Sequence, residues 1–147
     1  MSTRVFLDNA ATTPVAPEII DMISEMMKTH FANPSSVHSY GRESKIVVEN
    51  ARKKIASLLN TSPGSIFFTS GGTEADNMAI KCGIHDHKIT HAITSKISHH
   101  AVLYPLEDLE KEGIIKLSYV NIDDNGVVDL NHLEKLLQNN ARTFVSI

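Results

Sequence analysis

Ile66-Phe67-Phe68-Thr69-Ser70-Gly71-Gly72-Thr73-Glu74-Ala75-Asp76-Asn77 is the stretch on which the fold turns. Ile66 to Thr69 is a short apolar run and reads as a buried strand. From Thr73 to about Gly83 the spacing is helical, with Ala75, Met78, Ala79 and Cys82 as the expected inner face. Between them, two glycines let the backbone turn tightly and approach a neighbour closely. The N-terminus of a helix offers free N–H groups and a partial positive charge, which suits a phosphate. The Thr73 hydroxyl would add a donor. Thr73 to Asp76 equally fits a capping box, and Glu74 and Asp76 complement the helix dipole. On local sequence alone, a phosphate site and a plain cap therefore stand level. The stretch is not a Walker loop, which would end in Lys-Ser/Thr, and it is not a GxGxxG fingerprint.

Downstream, strand and helix patterns alternate. His91 to Thr94 reads as a strand, and Val102, Leu103, Leu106 and Leu109 mark a helix stopped by Gly113. Ile115 to Ile122 is a strand, Asp124-Asn125-Gly126 a turn, and Asp129 caps a helix through Leu130, Leu133, Leu136 and Leu137. Thr143 to Ile147 is a last apolar strand. Four strands alternating with helices predict an α/β fold with a mostly parallel sheet. Upstream, Ile19, Ile20, Ile23, Met26 and Met27 lie on one helix, and Val47, Val48, Ala51, Ile55, Leu58 and Leu59 on a second. Asn33-Pro34-Ser35-Ser36 separates the two. The sequence stops inside an apolar run, and this predicts the first part of a longer fold.

The chain has 147 residues and a mass of 16.2 kDa, with 41% hydrophobic and 21% charged residues, so it is rich enough in apolar side chains to pack. Its net charge of -3 argues against nucleic-acid binding, which needs clustered positive charge. Arg52-Lys53-Lys54 is the one basic run and reads as a solvated helix face. No segment suits a signal peptide or a membrane span. The single cysteine, Cys82, excludes an internal disulfide and fits a reducing cytoplasm. Its helical position reads as that of a small buried hydrophobe rather than a reactive thiol. His85, His87 and His91 lie close in sequence, but no thiol or His-Glu-x-x-His pattern accompanies them, and no metal site is expected.

The Gly71-Gly72-Thr73 stretch resembles the phosphate-binding turn of cysteine desulfurases, pyridoxal-phosphate enzymes of the fold-type I, class V aminotransferase group. Other segments agree in order: Leu7-Asp8-Asn9-Ala10-Ala11-Thr12-Thr13-Pro14, Asn33-Pro34-Ser35-Ser36-Val37-His38-Ser39-Tyr40-Gly41, Thr94-Ser95-Lys96-Ile97-Ser98-His99-His100-Ala101, and Asn125-Gly126-Val127-Val128-Asp129. The resemblance implies part of a fold-type I large domain over residues 16–147, preceded by a segment, 1–15, that borders the active site. It implies that Gly72 and Thr73 hold the phosphate of pyridoxal 5'-phosphate. His99 would stack on the cofactor ring and help move a proton, which makes it the candidate catalytic residue. Asn9, Ala10, Ala11 and Thr12 would border the substrate.

The implied reaction converts L-cysteine to L-alanine, with sulfur passing to an enzyme cysteine and on to acceptors such as an iron–sulfur scaffold or the tRNA-thiolation machinery. The implied assembly is a cytoplasmic homodimer. Two departures stand out. Ser98 occupies a place where the family usually has Glu. The Ser-x-His-Lys sequence that carries the Schiff-base lysine is missing, since His87-Lys88 lies in a polar loop without the serine. The chain alone is therefore expected to be inactive. Other readings are a different class V enzyme (a selenocysteine lyase or transaminase), a non-catalytic split half or pseudoenzyme, and a plain anion-binding domain.

Overall fold

The computed structural model describes residues 4–138 and 142–147. The chain divides into two compact units, Met1–Phe67 and Phe68–Ile147.

In the first unit, helix α1 spans Pro17–Thr29 and α2 spans Ser39–Leu58, followed by a 3-10 turn at Pro63–Ser65. Pro17 suits the start of α1, where its missing N–H costs nothing, and Glu18 and Lys28 lie at the ends the helix dipole favours. None of its residues is buried, and its stripe of Ile19, Ile20, Ile23, Met26 and Met27 is exposed. α2 starts earlier than its apolar pattern, because His38 caps it: the Gly41 N–H donates to His38 Nδ1 at 3.2 Å. The preceding turn is closed by Ser35 N–H to Asn33 Oδ1 at 2.9 Å and Ser36 N–H to the Asn33 carbonyl at 3.0 Å. Gly41 is buried against this turn.

In the second unit, α3 (Gly72–Asp86), β1 (His91–Ser95), α4 (His100–Lys111), β2 (Lys116–Val120), α5 (Leu130–Gln138) and β3 (Thr143–Ser146) follow in order. The sheet order is β2-β1-β3, and both pairings are parallel. The predicted α/β class and parallel sheet are present, but with three strands among the described residues rather than four. Ile66–Thr69 is not a strand. Its backbone is extended at Ile66, but the Ile66 carbonyl accepts from the Arg52 guanidinium instead of a ladder partner, and Phe67 is 70% exposed.

Ala92, Leu117 and Phe144 stand in register across the sheet, on the face that meets Ile80 and Ile84 of α3 and Leu106 and Leu109 of α4. Gly83 also turns toward this face, since a Cβ there would meet the Phe144 ring at 3.6 Å. Packing through Ile80, Gly83 and Ile84 rotates Ala75, Met78, Ala79 and Cys82 outward. All four are exposed, against the sequence expectation of an inner face and a buried thiol.

Gly113 stops α4 as predicted. Its φ is +74°, its N–H donates to the Glu110 carbonyl, and the Ile114 N–H donates to Leu109, both at 2.9 Å. Asp129 caps α5, accepting from the His132 N–H at 3.0 Å. Gly126, at φ +80°, makes the preceding turn.

On the other sheet face, His91 is 3% exposed and bridges all three strands. Its Nδ1 lies 3.1 Å from Thr143 Oγ1 of β3 and its Nε2 lies 2.9 Å from Ser118 Oγ of β2.

Candidate functional site

The N-terminus of α3 is built differently from the capping box its sequence suggested. Gly71 caps the helix with extended backbone and no side-chain bond, so Thr73 sits inside the first turn. The reciprocal contact is one step earlier: the Glu74 carboxylate accepts from both the Ser70 N–H and the Ser70 hydroxyl, each at 2.7 Å. The Ser70 hydroxyl, then its N–H, hold the Glu74 carboxyl below the ordinary carboxylate range. The lowered value means that the contact is fully present above the ordinary range and is lost as pH falls through the folded value. Ser70 amide exchange should therefore stay slow well into mildly acid solution, and Glu74→Ala should speed it at neutral pH.

With Glu74 folded back, the Gly72 and Thr73 N–H groups have no intrahelical acceptor and point off the helix end. A Cβ at Gly71 or Gly72 would meet open space, so the ground in front of this end is clear.

α3 packs along α4, and a depression of about 250 Å³ between them is lined by Thr73, Asn77, Lys81, His99, His100 and Tyr104, among others. Two of the residues picked from the sequence, Thr73 and His99, therefore meet, and Gly72 precedes Thr73 at the same helix end. His99 is the cap of α4: its Nδ1 accepts the Ala101 N–H at 3.1 Å. With Nδ1 as acceptor, the neutral ring carries its proton on Nε2. His100 stacks on Tyr104 with ring centroids 4.8 Å apart. Asn77 donates to the Thr73 carbonyl at 2.9 Å. Asp108, the one carboxylate on the rim, is paired with Lys111 at 3.0 Å. Helix-end N–H groups, a hydroxyl and the Lys81 ammonium together favour an anion with a flat ring beside it.

Sequence reasoning missed Asn77, Lys81, His100 and Tyr104. A usable signal existed: Thr73, Asn77 and Lys81 recur every four residues, and so do His100, Tyr104 and Asp108. Asn9, Ala10, Ala11 and Thr12 belong to the first unit. There they form an exposed turn in which the Ala11 and Thr12 N–H groups donate to the Asp8 carbonyl at 3.2 and 3.4 Å. Among the described residues, no three His, Cys, Asp or Glu side chains converge as metal ligands. Nor, among them, is any helix long and apolar enough to cross a membrane.

This chain belongs to the aminotransferase class-V family, whose model matches residues 5–147. Among its relatives, the cysteine desulfurase IscS of Dictyoglomus turgidum is 45% identical over 141 residues, covering 94% of this chain and 35% of that protein. Of the solved structures, a NifS-like protein superposes with a TM-score of 0.87 at 38% identity, over 99% of this chain and 40% of the other. SspA in complex with cysteine superposes with a TM-score of 0.80 at 31% identity, over 92% and 39%. The parallel sheet with flanking helices is thus that of the fold-type I neighbours, as the resemblance implied. The chain spans about a third of the length of the curated relatives it matches.

Proposed function

We propose that this chain carries the N-terminal part of a pyridoxal-phosphate-dependent cysteine desulfurase. The observation that carries the reading is the meeting of Thr73 and His99 in one depression, beside the helix end that Gly72 opens. These residues fit the cofactor. Gly72 and Thr73 N–H groups and the Thr73 hydroxyl would donate to its phosphate, in the clear space before α3. His99 would offer its flat face to the ring and hold or move a proton at Nε2. When bound, pyridoxal phosphate supplies an electron sink that eases bond breaking at the substrate carbon.

On this reading, residues 16–147 are the first part of the cofactor-binding large domain, and 1–15, with Asn9, Ala10, Ala11 and Thr12, border the L-cysteine site. The complete enzyme would act in the cytoplasm as a homodimer. It would release L-alanine and pass sulfur through a cysteine persulfide to a scaffold for iron–sulfur clusters or to tRNA thiolation. Lysine chemistry would come from outside these residues, since Ser-x-His-Lys is absent here.

The test titrates the chain with pyridoxal 5'-phosphate and with inorganic phosphate, followed by 31P NMR. The cofactor should bind more tightly than phosphate. Thr73→Val should weaken both by about tenfold to a hundredfold, the worth of one hydrogen bond to a charged group. His99→Ala should weaken the cofactor alone. The chain should form no alanine from cysteine above a free-cofactor control. Equal affinity for phosphate and cofactor would overturn the reading in favour of a plain anion-binding domain, and alanine formation would overturn the predicted inactivity.

A further inference from the structure

Three residues, Lys96 to Ser98, carry the chain from the end of β1 at Ser95 to the His99 cap. Two bonds close this turn on itself: Ser98 N–H to the Ser95 carbonyl at 3.1 Å, and Ile97 N–H to Ser95 Oγ at 3.2 Å. A third reaches back into the sheet. The Thr94 hydroxyl donates to Ser98 Oγ at 3.1 Å. Thr94 is fully buried, at 0% exposure, on the sheet face of Ala92. A hydroxyl there is cut off from water and costs stability unless it is bonded, whereas valine would fill the same space without that demand. Ser98 adjoins His99, whose ring holds the Ala101 N–H. That N–H is the second of α4 and has no intrahelical acceptor, so the ring is its partner.

We propose that the Thr94–Ser98 hydroxyl pair is a positioning device for His99, a proposal that rests on the role given to His99 above. It anchors the turn to the buried strand, sets where the His99 backbone leaves the sheet, and so keeps Nδ1 on Ala101 and Nε2 free for the depression. Ser98 stands where the family usually has Glu, and the device therefore works through two neutral hydroxyls and puts no carboxylate beside the imidazole. Thr94 and Ser98 act through His99 and are positioning residues, not catalytic ones.

The test is amide hydrogen exchange and histidine ring 15N NMR on the whole chain, without cofactor. His99→Ala identifies the ring signal and sets the unprotected rate of Ala101. Thr94→Val and Ser98→Ala should each speed Ala101 exchange about fivefold to tenfold and move the His99 ring signal toward that of a free imidazole. Ile93 in β1 and Leu109 in α4 should keep their rates. Ser98→Thr, which retains the hydroxyl, should restore both Ala101 and the ring signal. Unchanged Ala101 and ring signals in the two variants would overturn the proposal. So would uniform acceleration across the second unit, which would mark a merely structural role, or a failure of Ser98→Thr to restore. If these responses appear but pyridoxal phosphate fails to bind, the desulfurase reading falls while the hydroxyl device stands. If the cofactor binds and Ala101 does not respond, only the device falls.

Discussion

Gly41→Ala is expected to unfold the first unit, or to lower its stability by about 3 kcal/mol, at the upper end of what overpacking costs. A Cβ at this position would lie 2.5 Å from the Ser36 carbonyl oxygen, 2.7 Å from Ser36 Cβ and 2.8 Å from the Asn33 carbonyl oxygen. Two of these three atoms are backbone, so no side chain can swing away and the 33–36 turn itself must move. Against the clash stands the better helix propensity of alanine, worth about 1 kcal/mol. The clash wins, because the turn that would have to move is held by the Ser35 and Ser36 N–H bonds to Asn33. Tyr40 is the one tyrosine of this unit, and its ring lies 5.8 Å from Phe31, so its NMR signals during urea unfolding report the change. Gly64→Ala is the control, since its Cβ would meet Ser62 Oγ at an ordinary 3.8 Å. Equal midpoints for the two variants would refute the steric account.

His91→Ala is expected to cost the second unit about 3 kcal/mol, from the lost buried ring and from two hydroxyls left without their partner. The ring ties β1 to both β2 and β3 on that face, through Ser118 and Thr143. Burial first, and the nearby Lys116 charge second, hold the His91 imidazole below its ordinary value of 6.5. The folded state therefore prefers the neutral ring, and the unfolded chain takes up the proton first as pH falls. The His91 contribution is complete above the ordinary histidine value and is lost as pH falls from there through the lower folded value. Urea midpoints should drop between neutral and mildly acid pH in the native sequence, and this drop should shrink in His91→Gln. An equal drop in both proteins would assign the acid sensitivity to other groups.

The helices of this chain were legible because their signals are local. Gly113 ends α4 and Asp129 caps α5, each through a backbone group within a few residues. Orientation was harder to read. α3 has two apolar stripes, and small residues at Ala75 and Ala79 with Met78 and Cys82 looked like a core face. Ile80 and Ile84 decide the matter because they pack on the sheet face that carries Ala92, Leu117 and Phe144. Phe144 lies more than fifty residues away in sequence, at a pairing that no local window contains. The same limit hid His91, whose partners Ser118 and Thr143 become neighbours only once the strands are in register. Ile66–Thr69 had the apolar composition of a strand but not its pairing. Of the site, Thr73 and His99 were named through motif resemblance, while Lys81 and Tyr104 needed the packing of α3 on α4 to join them.

The outward turn of Cys82 gives this chain a handle for spectroscopy. It is the sole thiol in the sequence and it is exposed, so one maleimide dye or spin label attaches at one known place. That place is on α3, one residue beyond Lys81, on the helix whose first turn holds Thr73. A label there reports on α3 without any added cysteine, and with no native cysteine to remove.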